Sequence, residues 1–197
     1  MGGVTVTFHP GGFVAPLLYV SSSQINAVVP YQMAGISSFS VEVTFLGQTS
    51  NAFPLTLAST APGIFTYAGA EQAAAIQYDP KGNFSYNASS TPATAGWTIV
   101  LYVTGEGVVV PSANTGAVTV AASTPPYTAV PAAGAPTVLF NNNTPATVSF
   151  YGEAPGLVSG VMQLNVVVPP GAGTGAVPIT VTIGSNSSQA GVTVALQ

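Results

Sequence analysis

The sequence predicts an all-β fold of the β-sandwich class. Short stretches alternate apolar and polar residues, as in 4–8 (VTVTF), 40–45 (SVEVTF) and 179–183 (ITVTI). Alternation of this kind puts the apolar side chains of a strand on one face. The 22 Gly and 17 Pro provide frequent turns and would break helices, whose 3.6-residue period is hard to find in this chain.

An internal repeat is the most informative feature of the chain. Residues 14–30 read VAPLLYVSSSQINAVVP and residues 153–169 read EAPGLVSGVMQLNVVVP. With one constant shift, the identities are Ala15/Ala154, Pro16/Pro155, Leu18/Leu157, Gln24/Gln163, Asn26/Asn165, Val28/Val167, Val29/Val168 and Pro30/Pro169. With small gaps the match extends to Val6/Val148, Phe8/Phe150, Val41/Ile179, Val43/Val181, Thr56/Thr193 and Ala58/Ala195.

The repeat predicts two tandem immunoglobulin-like units, of which the first is a partial copy of the second. Residues 1–59 form the partial unit and residues 60–197 the complete sandwich domain, because the segment 59–145 has no counterpart at the N-terminus. An incomplete sandwich exposes unpaired backbone and apolar faces. We therefore predict a self-association edge at Val4, Val6 and Phe8.

Several motifs in the chain resemble the Solibacter-type C-terminal domain family. They are the segments 15–30, 61–66 (APGIFT), 101–107 (LYVTGEG), 163–165 (QLN) and 191–196. The resemblance covers almost the whole chain. It implies an immunoglobulin-like module of a large secreted bacterial surface protein and no catalytic residues. One departure is Glu106, which stands between two glycines where the family usually has Leu.

The charge content excludes several classes of partner. Only 3% of the residues are charged: Lys81 and five acids, with no Arg. A single Lys cannot neutralise the phosphates of a nucleic acid or bind an anionic membrane surface. No apolar run is long enough for a transmembrane helix.

The uncharged polar residues and the scarcity of titratable groups lead to two further expectations. A surface of Ser, Thr, Asn and Gln favours an extracellular or cell-surface location. Because the chain has so few titratable groups, we expect its stability to change little with pH.

The sequence predicts no catalytic site, cofactor or bound metal. The five acids are scattered singly, so we expect them to be solvated rather than paired as in a glycosidase. His9 is the one histidine and cysteine is absent, which leaves neither a catalytic triad nor a zinc site. Backbone carbonyls together with Asp79 would hold at most a weak Ca²⁺.

Two functions therefore remain open. The first is an extracellular structural protein that forms a homo-oligomer or polymer, such as a filament, surface layer or matrix. The alternative is a carbohydrate- or protein-binding adhesion module appended to a larger secreted protein. Glycan contacts would fall on Tyr31, Tyr67 or Tyr127, since Trp97 lies in an apolar strand that is expected to be buried.

Two groups of polar residues complete the sequence-based expectations. Four sequons make Asn83, Asn87, Asn142 and Asn186 candidates for glycosylation. The recurring pairs Gln24/Asn26 and Gln163/Asn165 are expected to satisfy backbone groups at strand boundaries rather than to bind a ligand.

Overall fold

The computed structural model describes residues 2–68, 70–124 and 128–197, and these confirm the predicted all-β fold. The regular elements of this described part are β-strands and one turn of 3₁₀ helix at Tyr31–Met33. Every pair of named strands is antiparallel. The immunoglobulin-like tandem arrangement stays a prediction.

The N-terminal segment, residues 4–57, contains one sheet and one hairpin. Its strands are β1 (Val4–His9), β2 (Phe13–Val14), β3 (Leu17–Val20), β4 (Ile25–Ala27), β5 (Ser38–Phe45), β6 (Gln48–Thr49) and β7 (Phe53–Thr56). The sheet has the order β2-β1-β5-β6, with β7 also paired to β5, and β3 pairs with β4. The alternating strands direct Phe8 and Phe39 into the core, where their rings stack 5.5 Å apart.

The C-terminal segment, residues 60–197, forms a six-stranded sheet, a five-stranded sheet and the two-stranded pair of β12 and β13. Its strands are β8 (Gly63–Ile64), β9 (Ile76–Tyr78), β10 (Phe84–Tyr86), β11 (Thr98–Thr104), β12 (Val109–Val110), β13 (Val130–Pro131), β14 (Thr137–Phe140), β15 (Thr144–Pro145), β16 (Thr147–Glu153), β17 (Val161–Val167), β18 (Gly175–Ile183), β19 (Asn186–Ser187) and β20 (Thr193–Leu196). One sheet runs β10-β9-β11-β17-β16, with β8 on β11. The other runs β15-β14-β18-β19, with β20 on β18. Apolar side chains from both sheets share one core, as in a β-sandwich.

The pairing order of the N-terminal sheet recurs in the C-terminal segment. Strands β2-β1-β5-β6 with β7 correspond to β15-β14-β18-β19 with β20, and the hairpin β3-β4 corresponds to β16-β17. Hydrogen bonds recur as well. The backbone N–H of Val43 donates to Ser50 Oγ at 3.0 Å, and that of Val181 donates to Ser188 Oγ at 3.1 Å. The repeated sequence therefore encodes the same seven strands twice.

The outer part of the sequence alignment is wrong at β1. Val6 lies opposite Val43, as Val138 lies opposite Val181. The counterparts of Val6 and Phe8 are accordingly Val138 and Phe140, whereas Val148 and Phe150 belong to β16 and match β3. The end of the alignment is also displaced, because the sheet register matches Thr56 to Ala195 rather than to Thr193.

The misalignment arises because the two equivalent hairpins differ in length. In the shorter one Val20 pairs with Ile25, whereas in the longer one Tyr151 pairs with Leu164. Ala15 and Pro16 precede β3, but Ala154 and Pro155 follow β16, so that part of the identity is not structural. The additional residues of the β16–β17 hairpin carry Glu153 and Ser159.

The chain between the two segments is fixed to the C-terminal segment. Thr60 Oγ1 donates to the carbonyl of Ile183 at 2.8 Å, and Asn186 Nδ2 donates to the Thr60 carbonyl at 2.9 Å. Gly105 has a φ of 73°, and a Cβ there would lie 1.8 Å from the Ala61 carbonyl oxygen. A glycan on Asn186 would attach to the nitrogen that makes this contact with the linker.

Asn87 connects three parts of the C-terminal core and is fully buried. Its Nδ2 donates to Gln77 Oε1 at 2.7 Å and to the Ala195 carbonyl at 2.8 Å. Its Oδ1 accepts from the Ala195 N–H at 2.8 Å and from Gln72 Nε2 at 2.9 Å. With every position of the amide occupied, Asn87 has no room for a glycan in the folded protein, which corrects its sequence assignment as a glycosylation candidate.

We expect Asn87→Ala to destabilise the protein by about 2–4 kcal/mol, because it leaves several buried donors and acceptors unpaired. Urea titration followed by tryptophan fluorescence measures the change. The matched control Asn51→Ala, at an exposed position, should leave the midpoint within error. Equal midpoints for both variants would show that the buried amide contributes nothing.

Candidate functional site

An apolar surface that is buried in one copy of the repeat is exposed in the other. Val192 and Val194 are 3% and 0% exposed in the C-terminal segment. Their counterparts by sheet register are Phe53 and Leu55, which are 65% and 42% exposed. The same strand position is therefore core in one segment and surface in the other.

In the C-terminal segment this face is covered by the opposite sheet and by a stretch that precedes β11, which adds Ala73, Ala75 and Ala93 to the core. Residues 71–93 cross β20, where the Thr193 N–H donates to the Glu71 carbonyl at 2.8 Å and the Ala73 N–H returns a bond to Thr193 at 2.8 Å. Further along, the Gln197 N–H donates to the Ala93 carbonyl at 2.9 Å. In the described residues no equivalent stretch covers β7.

The hairpin β3-β4 also lacks a neighbour that its counterpart has. Strand β17 lies between β16 and β11, with Leu164 opposite Leu101 and Val166 opposite Ile99. Strand β4 pairs with β3 alone among the described strands. Val166 is fully buried, whereas its counterpart Ala27 is exposed. Unpaired strand edges of this kind template pairing with another chain.

Together these positions define what we call the open face: Ile25, Ala27, Phe53 and Leu55. It carries no charged residue. The histidine and the acidic residue of the N-terminal segment, His9 and Glu42, contact each other at 3.3 Å. His9 alternates with the buried Phe8 along β1, so this pair belongs to the outer surface of the sheet.

The structure places the predicted self-association edge in the wrong part of the segment. Val6 and Phe8 are buried in the N-terminal core, and β1 is paired with β5 along Val4 to His9. Val6 and Phe8 lie on the face of β1 that points into the core, and the N-terminal segment itself covers that face. The edge and face without a partner are instead those of β4 and β7.

The recurring amides form side-chain bonds with each other rather than with the backbone. Gln24 Nε2 donates to Asn26 Oδ1 at 2.7 Å, and Gln163 Nε2 donates to Asn165 Oδ1 at 2.8 Å. Because residues two apart on a strand share a face, the expected backbone contact is replaced by a local pair. The same Gln–Asn side-chain bond therefore occurs at equivalent places in both copies of the repeat.

The tyrosines considered as glycan contacts have different positions. Tyr31 is half-buried between the segments, and Tyr67 is exposed. Tyr127 lies outside the described residues. Trp97 precedes β11 and packs partly buried against the core. Of the exposed sequons, Asn83 and Asn142 remain open to modification.

An exposed aromatic group on the β9–β10 hairpin was not identified from the sequence. Tyr78 lies opposite Phe84, with ring centroids 6.3 Å apart, and Tyr86 follows on the same face of the strand. Phe84 and Tyr86 are each 65% exposed. The sequence Phe-Ser-Tyr is too short a pattern to show which face of the strand is solvated.

Two of the acids are buried, so the expectation that all five are solvated is wrong. Glu106 and Glu153 are 1% and 3% exposed. Glu153 Oε1 accepts from the hydroxyl of Tyr31 at 2.9 Å and from that of Ser159, and Oε2 accepts from Thr119 Oγ1 at 3.2 Å. Neither carboxyl oxygen of Glu106 has a hydrogen-bond partner in the described part of the chain.

These two acids and Tyr31 influence one another electrostatically. Burial, and to a lesser extent the charge of Glu153, raise the pKa of Glu106 to about 8. Burial also raises the pKa of the Tyr31 hydroxyl well above its ordinary value. Tyr31 belongs to the N-terminal segment, and both acids belong to the C-terminal segment, so the cluster lies at their junction.

Comparisons of the chain with protein-family models, curated proteins and solved structures found no match. The resemblance to the Solibacter-type C-terminal domain family therefore stays a prediction. Within the described ranges, no helix has the length and apolar character needed to cross a membrane. The same residues contain no group of three or more His, Cys, Asp or Glu side chains placed to hold a metal ion.

We expect stability to fall as pH rises from about 4.5 to 8, because the folded protein holds the proton of Glu106 more tightly than the unfolded chain does. The full contribution is present below pH 4.5 and is lost through pH 8, with a slope of at most about 1.4 kcal/mol per pH unit. This expectation replaces that of a nearly flat pH profile.

Urea titrations in a metal-free buffer at several pH values measure the slope. Glu106→Gln should flatten the profile between pH 5 and 8, because the amide carries no proton to lose. The exposed variant Glu71→Gln serves as the control and should retain the wild-type slope. An unchanged slope in Glu106→Gln would contradict the assignment.

Proposed function

We propose that this protein is a non-catalytic extracellular structural protein that assembles with other copies of itself through the open face. The observation that carries the proposal is the contrast between Phe53 and Leu55 and their buried counterparts Val192 and Val194. Large apolar side chains left uncovered beside an unpaired strand edge are typical of an interaction surface.

A strand added to β4 would complete the N-terminal segment as β11 completes the C-terminal one. In the C-terminal segment the added strand is antiparallel and presents Ile99 and Leu101 to the core. A matching partner therefore contributes an alternating, uncharged strand and an apolar cover for Phe53 and Leu55. This is recognition by β-strand addition, with backbone bonds for affinity and apolar contacts for specificity.

A second copy of the chain fits these requirements. The open face carries no charge, and the N-terminal segment has no Lys or Arg to repel its own copy or to select a charged partner. Two β4 edges that pair antiparallel give a closed dimer. Docking of the open face on a different surface of the neighbour gives an open filament, surface layer or matrix.

The charge-poor composition supports an extracellular location for such an assembly. With 3% charged residues, the surface relies on Ser, Thr, Asn and Gln for its hydration. Reduced like-charge repulsion favours association at high local concentration.

Sedimentation velocity over a range of protein concentrations tests the assembly. Wild-type protein should form dimers or larger species, and Phe53→Asp should lower the association constant at least tenfold, because it places a charge in the buried contact. Phe84→Asp is the matched control, since both phenylalanines are 65% exposed on strands. It should associate like wild type.

A monodisperse wild-type monomer at millimolar concentration would refute self-assembly. Equal loss of association in both aspartate variants would also contradict the proposal, because it would indicate a general effect of surface apolarity. Circular dichroism of each variant verifies that the fold is retained.

A second candidate function is carbohydrate binding, and the exposed aromatics of β9 and β10 favour it. Tyr78, Phe84 and Tyr86 form a band of rings on one face of the hairpin. Aromatic faces stack on sugar rings with little loss of side-chain entropy, since each ring has few rotatable bonds. The band is remote in sequence from the open face, so both functions can be tested separately.

For this second candidate we expect wild-type protein to sediment with insoluble cellulose or chitin. Phe84→Ala and Tyr86→Ala should each weaken binding by about fivefold or more, because each removes roughly 1 kcal/mol or more of stacking energy. Phe53→Ala, an equally exposed phenylalanine of the open face, is the control that keeps the affinity. Absence of wild-type binding to both polymers argues against a platform for β-linked polysaccharides.

A further inference from the structure

Phe53 and Leu55 of the open face belong to the core side of the N-terminal sheet. In the pairing of β5 with β7, Phe53 lies opposite Val41 and Leu55 lies opposite Phe39. Residues that lie opposite each other in an antiparallel pair project to the same side of the sheet. Phe39 and Val41 pack into the N-terminal core. The open face is therefore a part of the core side that lacks a cover.

The hairpin β3-β4 is too narrow to cover this side completely. The sheet is four strands wide, because β6 and β7 pair with different parts of the same edge of β5. The hairpin has two strands, whose Leu17 and Ile25 pack on the cluster of Val6, Phe8 and Phe39. The sheet thus exceeds its cover by about two strands, or roughly 10 Å.

The covering stretch of a neighbouring copy cannot fill this strip without loss. Residues 63–104 supply Ile64, Ile99 and Leu101 to the core of their own C-terminal segment, where each is at most 3% exposed. If they moved to the open face of another copy, they would leave their own core uncovered. The surface that every copy has available, and that itself needs a cover, is the open face of a second copy.

The free edge of β7 favours contact through its apolar face. The Leu57 N–H donates to the Ser37 carbonyl at 3.3 Å, so Phe53, Leu55 and Leu57 direct their backbone groups toward β5. Pro54 then faces the free edge, where it has no N–H to donate. Proline at such a position is typical of edges that are protected from strand addition.

We propose that the open faces of two copies pack on each other around a twofold axis, so that each copy covers the strip that the other leaves open. This pairing rests on the proposed self-assembly and specifies the surface of the second copy. Phe53 and Leu55 of each copy fill the space beyond the partner's hairpin, and β4 lies beside the partner's β7. Each of the two layers then combines the hairpin of one copy with the sheet of the other.

The charge distribution is compatible with this symmetry. A twofold contact brings equivalent surfaces together, so any charge within it would meet its own like charge. Val41 and Val43 pack into the core, which places Glu42 on the opposite side of β5, in contact with His9. The contact is therefore uncharged, and it closes at two subunits.

The chain contains no cysteine, so a single introduced cysteine can test the symmetry. Leu55→Cys places a thiol close to the same thiol of the partner across the twofold axis, whereas a head-to-tail contact would place the two thiols on different surfaces. A short bismaleimide should join Leu55→Cys chains into covalent dimers at least about tenfold faster than Leu157→Cys chains. Leu157 is the matched control, since Leu157 and Leu55 are 41% and 42% exposed.

Sedimentation velocity of the wild type supplies the second readout, because its association should stop at the dimer as concentration rises. Species that grow beyond the dimer, or equal cross-linking of the two cysteine variants, would overturn the twofold packing and leave self-assembly through the open face in place. A wild-type monomer at millimolar concentration would overturn both.

Discussion

The packing of one apolar sheet face on a second sheet is the interaction on which this structure depends. A single antiparallel sheet has one face to bury, and its strands are stable only when that face is covered. In the C-terminal segment β18 and β20 lie against β11 and β17, which gives one continuous core. The N-terminal segment has the same sheet and the same hairpin without the covering strands, and its apolar surface follows from that lack.

The scarcity of charge gives unusual weight to the few ionisable groups that are buried. In a typical domain, a buried carboxylate finds Lys or Arg among its neighbours. Within the described residues, the donors to the Glu153 carboxylate are three hydroxyls and one backbone N–H, and the Glu106 carboxyl has no hydrogen-bond partner, so the local electrostatics depend on protonation. Although the chain as a whole carries few charges, the pH dependence of its stability is thus concentrated in the cluster around Glu106 and Glu153.

Much of the fold was predictable from the sequence, because alternation and turn residues act locally. Val4 to Phe8 and Ile179 to Ile183 form the strands that their patterns indicate. The alignment of the repeat was less reliable, since the longer β16–β17 hairpin shifts Ala154 away from Ala15 without changing the strand order. The burial of Glu106 had no local signal, because it depends on strands distant in sequence that enclose it. For the same reason the sequence predicts a self-association edge at Val4, Val6 and Phe8, whereas the structure buries Phe8 and leaves Phe53 exposed.

The order of strands along the chain has a consequence for how the protein folds during synthesis. In the C-terminal segment β8 to β13 leave the ribosome before β14 to β20, yet β11 obtains its main partner only when β17 has been made. Such distant pairing makes the region slow to fold and leaves an apolar strand exposed in the interval. The N-terminal sheet is completed within a short stretch of chain, from Val4 to Thr56, and so folds first. During synthesis the N-terminal sheet would thus be folded, with one apolar face uncovered, while β11 still lacks β17. Premature pairing between this sheet and β11 is the misfolding hazard that the topology creates.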